Sequence, residues 1–150
     1  MTTFQRTDSN NPDFQDLVKL LDEYLAILDG DEHAFYAQLN KIVNINHVVV
    51  CYLDGQPIGC GAFKEYNDHT VEIKRMYVNP AYRGKSIGFY ILRELELWAA
   101  ELNYSTTILE TGKRQPDAIR LYEKAGYTRI KNFGKYENVE NSVCMSKDIS

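Results

Sequence analysis

The sequence is short of most things that would stabilise or anchor a chain from outside its own core. It has only three cysteines, Cys51, Cys60 and Cys144, an odd number with no CxxC spacing. That excludes a disulfide framework and a cysteine-rich metal site, so no metal is expected; reduced thiols fit a cytoplasmic setting. No catalytic cysteine motif is present either, and the thiols read as packed side chains. No apolar run approaches the roughly 20 residues needed to cross a bilayer, and the opening MTTFQRTDSNN has no apolar signal core. No membrane association is expected. A basic excess is also missing: 17 Lys+Arg against 21 Asp+Glu leave a net charge of −4, which argues against a general nucleic-acid binder. There is no repeat, low-complexity tract or long linker. What remains is an ordinary composition over 150 residues, read as a single domain spanning 1–150. Such a length hides roughly 68–70% of the unfolded surface in one core.

The charges are unevenly spread. Between Met1 and Glu72 acids outnumber bases twelve to four. Between Ile73 and Arg93 there are five bases (Lys74, Arg75, Arg83, Lys85, Arg93) and no acid. A positive island in an acidic chain points to a local anionic ligand.

Periodicity gives the elements. Phe4–Thr7 reads as a short strand. Asn11-Pro12 reads as an N-cap followed by proline at the first helical position, and Phe14, Leu17, Val18, Leu21, Tyr24, Leu25 and Leu28 recur at helical spacing up to Gly30. A shorter helix is expected over Glu32–Asn40. Strands follow at His47–Leu53, Pro57–Tyr66 and His69–Val78, joined by the turn signals Asp54-Gly55 and Asn67-Asp68. A long helix starts near Ile87, with Asn103 as its C-terminal cap. Then come a strand at Ser105–Glu110, a helix at Pro116–Ala125 closed by Gly126, and strands at Tyr127–Ile130 and Ser142–Lys147. Strand-helix-strand order in the second half implies a parallel pair inside a mixed sheet.

Two local features point to chemistry. In the third strand Val71 and Ile73 set one alternation, and Met76 and Val78 set another, shifted by one residue. A strand of period two needs an extra residue at Lys74-Arg75, a β-bulge, to do this; otherwise the two bases form a solvated edge. Next, Arg83-Gly84-Lys85-Ser86-Ile87-Gly88 joins that strand to a helix N-terminus. Unpaired first-turn amides, the helix dipole, close backbone approach at glycine and two full positive charges suit a pyrophosphate.

The loop resembles the R/Q-x-x-G-x-G/A motif of the GNAT superfamily of acetyl-CoA-dependent N-acyltransferases, with Ser86 in place of the usual glycine. Ala118 to Tyr127, AIRLYEKAGY, is similar to the superfamily's A-x-x-L-Y-x-x-x-G-F/Y segment, with Gln115 where asparagine is usual. The resemblance runs from the first strand to the last. It implies a mixed α/β fold: a mostly antiparallel sheet of six to seven strands, about four helices on both faces, and one parallel pair splayed for the cofactor. It implies acetyl transfer from acetyl-CoA by direct attack, in a small bacterial-type member, with a small-molecule amine as acceptor. A peptide acceptor, a non-catalytic acyl-CoA sensor and a homodimer stay open.

The resemblance also assigns residues. Met76, Tyr77 and Val78 would line the acetyl-pantetheine, with the Val78 amide facing the thioester oxygen. Arg83, Gly84, Lys85, Ser86, Ile87 and Gly88 would hold the phosphates, and Gln115 and Tyr122 the thiol end. Tyr122 is the candidate acid, or else a packed tyrosine. Glu72, eleven residues before Arg83 and opposite in phase to Val71 and Ile73, is the candidate base, or else half of an ion pair. Asp31, His33 and Tyr36, with Asp29, Glu32 and Phe35, form an acidic, aromatic acceptor rim or a solvated loop; Glu110 and Tyr136 also face the acceptor. His47 and His69 are read as structural or exposed.

Overall fold

The computed structural model describes residues 1–29 and 44–150. The expected helix Glu32–Asn40 and the expected acceptor residues Asp31, His33 and Tyr36 lie outside the described residues. Seven strands form one sheet: β1 Thr2–Thr7, β2 His47–Leu53, β3 Gln56–Asn67, β4 Thr70–Val78, β5 Thr106–Gly112, β6 Thr128–Ile130 and β7 Ser142–Asp148. Their spatial order is β1-β2-β3-β4-β5-β7-β6. All neighbours are antiparallel except β4 and β5. Three α-helices stand among the described residues, against about four expected: α1 Pro12–Asp29, α2 Ile87–Glu101 and α3 Pro116–Lys124.

Local sequence explains the boundaries. The Asn11 side chain accepts from the Phe14 amide at 2.9 Å, capping α1 as its spacing predicts. Asp54 and Gly55 both take positive φ, 51° and 86°, which turns β2 tightly into β3. Asn103 follows α2 at φ 72°, the left-handed conformation that ends helices.

The helices divide the core between the two faces of the sheet. Phe14, Leu17 and Leu21 of α1 pack on Val48, Val50, Cys60, Ala62 and Tyr77. On the other face Ile91, Leu92, Leu95 and Ala99 of α2, with Ile119 and Tyr122 of α3, pack on Val49, Cys51, Val71, Ile73 and Leu109. Edge strand β1 is tied to α2 through Arg6, which bonds Glu94 at 2.9 Å and Glu101 at 2.8 Å and lies over the Trp98 ring.

The bulge is where the alternation demands it. Cys60 pairs with Tyr77 but Ala62 pairs with Lys74, so one residue of β3, Gly61, stands opposite two of β4, Arg75 and Met76. Arg75 takes the extra place at φ 57°. The faces swap accordingly: Val71 and Ile73 belong to the α2 side, Met76 and Val78 join them there, and Tyr77 goes to the α1 side. Gly61 of β3 stands opposite the bulge. A Cβ there would come within 2.5 Å of Met76 Sδ, 2.9 Å of Leu95 Cδ1 and 3.0 Å of Ile91 Cγ2. Gly61→Ala is therefore expected to overpack this crossing and cost about 1–3 kcal/mol, read as a lower melting temperature; an unchanged melt would contradict the packing described.

Candidate active site

The parallel pairing of β4 with β5 runs only from Thr70–Thr106 to Ile73–Leu109. Beyond it the strands part. β4 goes on through the bulge to Val78, while β5 stays with β7 as far as Gly112–Ser142. A cleft opens in this gap. It is lined by Leu21 and Leu25 of α1 on one side of the sheet and by Tyr122 of α3 on the other, with Glu72, Met76, Glu110, Gln115 and Tyr136 among its walls. The opening thus reaches both faces of the sheet.

Backbone groups face the gap. Antiparallel ladders alternate paired and outward-facing residues. The Asn79 amide bonds Ile58 O at 2.8 Å, so Val78 turns its N–H and C=O away from β3. Its carbonyl accepts from Arg83 Nε at 2.9 Å. The 3-10 turn Pro80–Tyr82 then leads into the glycine loop. Gly84 has φ 83° and Ser86 φ 63°, left-handed turns of the kind from which anion-binding backbone concavities are built. The first backbone bond of α2 runs from the Tyr90 amide to Ser86 O, leaving the amides of Ile87, Gly88 and Phe89 ahead of the helical ladder. Arg83 and Lys85 are exposed, and the Arg83 guanidinium also stacks over Tyr24 at 5.1 Å. Gly88 lets α2 approach α3, because a Cβ there would lie 3.1 Å from Leu121 Cδ2.

The side chains of the cleft are mostly engaged. Glu72 and Lys74 are buried, with Lys74 Nζ 3.2 Å from Glu72 Oε2. Arg75, on the bulge, pairs with Asp22 of α1 at 2.8 Å. Glu110 accepts from Ser142 Oγ at 2.6 Å. Tyr122 is buried against Tyr127, and burial together with the Glu110 charge raises its pKa above the phenol's ordinary value. Burial and the Lys74 charge push Lys135 down to about 8. Behind Tyr122, Tyr127 shares a buried network with Thr107 at 2.7 Å and Glu96 at 3.0 Å, and Lys147 closes it. No group of three or more His, Cys, Asp or Glu suited to a metal ion occurs among the described residues.

A model of the Acetyltransferase (GNAT) family matches residues 14–127. This chain belongs to the GNAT acetyltransferase family. Relatives agree with the match. A protein of Azospirillum brasilense described as an IAA acetyltransferase is 33% identical over 135 residues, 89% of this chain and 88% of its own. A solved structure described as an acyl-CoA N-acyltransferase, from Klebsiella pneumoniae, superposes with a TM-score of 0.84 at 28% identity, over 100% of this chain and 99% of the other. A GNAT acetyltransferase from Elizabethkingia anophelis with acetyl-CoA bound shares the fold, with a TM-score of 0.70 at 20% identity over 98% and 97% of the two chains.

For this GNAT acyltransferase, the expected site residues fall into two groups. Glu72, Met76, Glu110, Gln115 and Tyr122 converge on the cleft. Arg83 to Gly88 form the helix entry beside Val78. Tyr77 departs from its neighbours: its side chain packs in the α1-side core, so only its backbone continues the gap-facing edge. Gln115 caps α3 without a side-chain capping bond, and its Nε2 lies over Gly112. His47 is structural, stacked on Phe63 at 4.7 Å; His69 is an exposed turn residue. The described lining also holds Lys74, Arg75, Lys113 and Arg114; the acidic rim expected around Asp31 and Glu32 lies outside the described residues. Lys74 was legible two residues from Glu72 on the same face, and Arg75 as part of the bulge; Lys113 and Arg114 carry no local signal. Ser86 occupies a left-handed conformation that glycine adopts more easily. Ser86→Gly is expected to raise stability by about 0.5–1 kcal/mol, checked by denaturant unfolding.

Proposed function

We propose that this chain transfers the acetyl group of acetyl-CoA to a primary amine of a small molecule, by direct attack within a ternary complex. One observation carries the reading: the gap between β4 and β5 past Ile73 and Leu109, bordered by outward-facing backbone and continuous with an anion-binding helix start. An extended acyl-pantetheine arm matches the gap, and the phosphates at its other end match the Arg83–Gly88 loop. Acetyl-CoA would supply the activated acetyl thioester. The cleft between α1, β4 and β5 favours a small acceptor over a flat protein surface. Three buried, reduced thiols fit a cytoplasmic enzyme, working as one domain.

Each residue has a defined task. The loop amides and Arg83 bind phosphate, and this fixes the position of the arm. The Val78 N–H donates toward the carbonyl oxygen as negative charge grows there. The amine nitrogen forms the new C–N bond while the C–S bond breaks. Glu72 accepts the proton that the nitrogen sheds, directly or through water. Tyr122 donates toward the departing sulfur. Its raised pKa keeps the phenol protonated throughout the neutral range, so it is always charged with its proton when the sulfur leaves.

Thiol release and product mass over an amine panel test the reading; tight acetyl-CoA binding with no transfer to any amine would overturn it. Arg83→Glu is expected to weaken acetyl-CoA binding about 10-fold or more in calorimetry while the melting temperature holds. Tyr122→Phe is expected to lower kcat about 100-fold with cofactor affinity unchanged. Because the folded-state phenol titrates above its ordinary value of 10.0, the wild-type rate should show no alkaline loss from this group below pH 10.

A further inference from the structure

The floor of the cleft holds a buried ion cluster, Glu72, Lys74 and Tyr136, of which acetyl transfer itself uses only Glu72. Glu72 is 4% exposed and Lys74 6%. Lys74 Nζ lies 3.2 Å from Glu72 Oε2 and donates to the Tyr136 hydroxyl at 3.2 Å. The same hydroxyl lies 3.5 Å from Glu72 Oε2. Both partners therefore meet one carboxylate oxygen. The other, Oε1, has no partner among the described residues, and Glu72 lines the cleft.

This asymmetry is informative. Taking two charges out of water is costly, and apolar residues of similar volume often serve stability as well or better. A pair kept at the floor of a cleft, with one oxygen saturated and one left over, is arranged for a ligand. The surroundings sharpen the point. Glu110 of β5 adds a second negative charge that acts with Glu72 on Tyr136, and both act on Cys144 of β7. Asp22 of α1 is engaged with Arg75. Lys135 faces Lys74 from the 134–136 turn, and its pKa is lowered by burial first and by that ammonium's charge second.

We propose that Lys74 and Tyr136 are positioning residues for the amine-side base: they fix the Glu72 carboxylate through Oε2 and leave Oε1 free to receive the acceptor amine. The inference rests on the acetyl-transfer reading and deepens it. As the C–N bond forms, the nitrogen's proton passes to Oε1, and from there to solvent. Lys74 keeps its proton throughout and Tyr136 keeps its hydroxyl, so neither is consumed.

The test combines a titration with a rate profile. The Glu72 carboxyl, carbon-13 labelled and assigned with Glu72→Gln, is titrated by NMR in the wild type, Lys74→Met, Lys74→Arg and Tyr136→Phe. The acid limb of kcat/KM is measured in parallel with the best amine of the panel. Losing a cation this close disfavours the carboxylate, so Lys74→Met is expected to move both the midpoint and the acid limb up by about 1–3 pH units. Lys74→Arg should restore both. Tyr136→Phe, which preserves shape, should lower kcat more than it changes KM. An unmoved midpoint overturns the inference. So does a moved midpoint with an unmoved limb, which would make the cluster structural. If Lys74→Met fails to fold, Tyr136→Phe decides: wild-type kcat overturns the inference. A wild type silent toward every amine overturns the acetyl-transfer reading instead, and the catalytic role of the cluster with it.

Discussion

One surplus residue governs the layout of this protein. Arg75 occupies a place in β4 with no counterpart in β3, and the strand must turn over to accommodate it. Before the bulge, β4 is an ordinary member of the sheet, paired on both sides. After it, Met76 and Val78 lie over the α2 side, and pairing with β5 has already ended at Ile73. The gap, the outward-facing Val78 backbone and the entry into the glycine loop all follow. The bulge is braced from three sides. Asp22 holds the Arg75 guanidinium, Cys60 Sγ reaches Arg75 O at 3.4 Å, and Gly61 admits Met76 where any side chain would collide.

Much of this was written locally in the chain. The break in alternation between Ile73 and Met76 is a period-two signal, and period-two signals survive folding because a strand has only two faces. The loop from Arg83 to Gly88 is legible for a similar reason: glycine, base and helix start occur within six residues. The ends of β2 and α3 were equally plain, set by Asp54-Gly55 and by Gly126. Other parts were not. Tyr136 reaches Lys74 across sixty-two positions of sequence, and no spacing announces it. The Arg75–Asp22 pair joins a strand to a helix that could have packed elsewhere. The left-handed φ of Ser86 is also silent, since serine is not a residue that advertises such a conformation. Side chains that meet only through tertiary packing leave no periodic trace, and those account for most of what sequence reasoning passed over.

The charge pattern takes on a spatial meaning. The bases between Ile73 and Arg93 do not act together. Arg83 and Lys85 stand exposed at the helix entry, where long-range attraction can act on an anion. Lys74 is sealed within the cleft and Arg75 is committed to α1, so both act over a few ångströms. Arg93 is exposed on α2. One linear island therefore divides into an exposed pair at the helix entry, a buried ammonium beside Glu72 and a structural brace. The cleft is lined from both faces, by Tyr122 from the α3 side and by Glu72 from the α1 side.

The three thiols have a consequence of their own. Burial pushes Cys51 and Cys144 up to about 11 and Cys60 to about 12. A neutral thiol is a poor nucleophile toward an acyl thioester. A catalyst that keeps an activated acyl group and a liberated thiol in one cleft is exposed to two side reactions, acyl capture by its own cysteines and mixed disulfide formation with its product. Keeping every sulfur protonated and out of reach protects the chain against both, so turnover need not degrade the protein that carries it out.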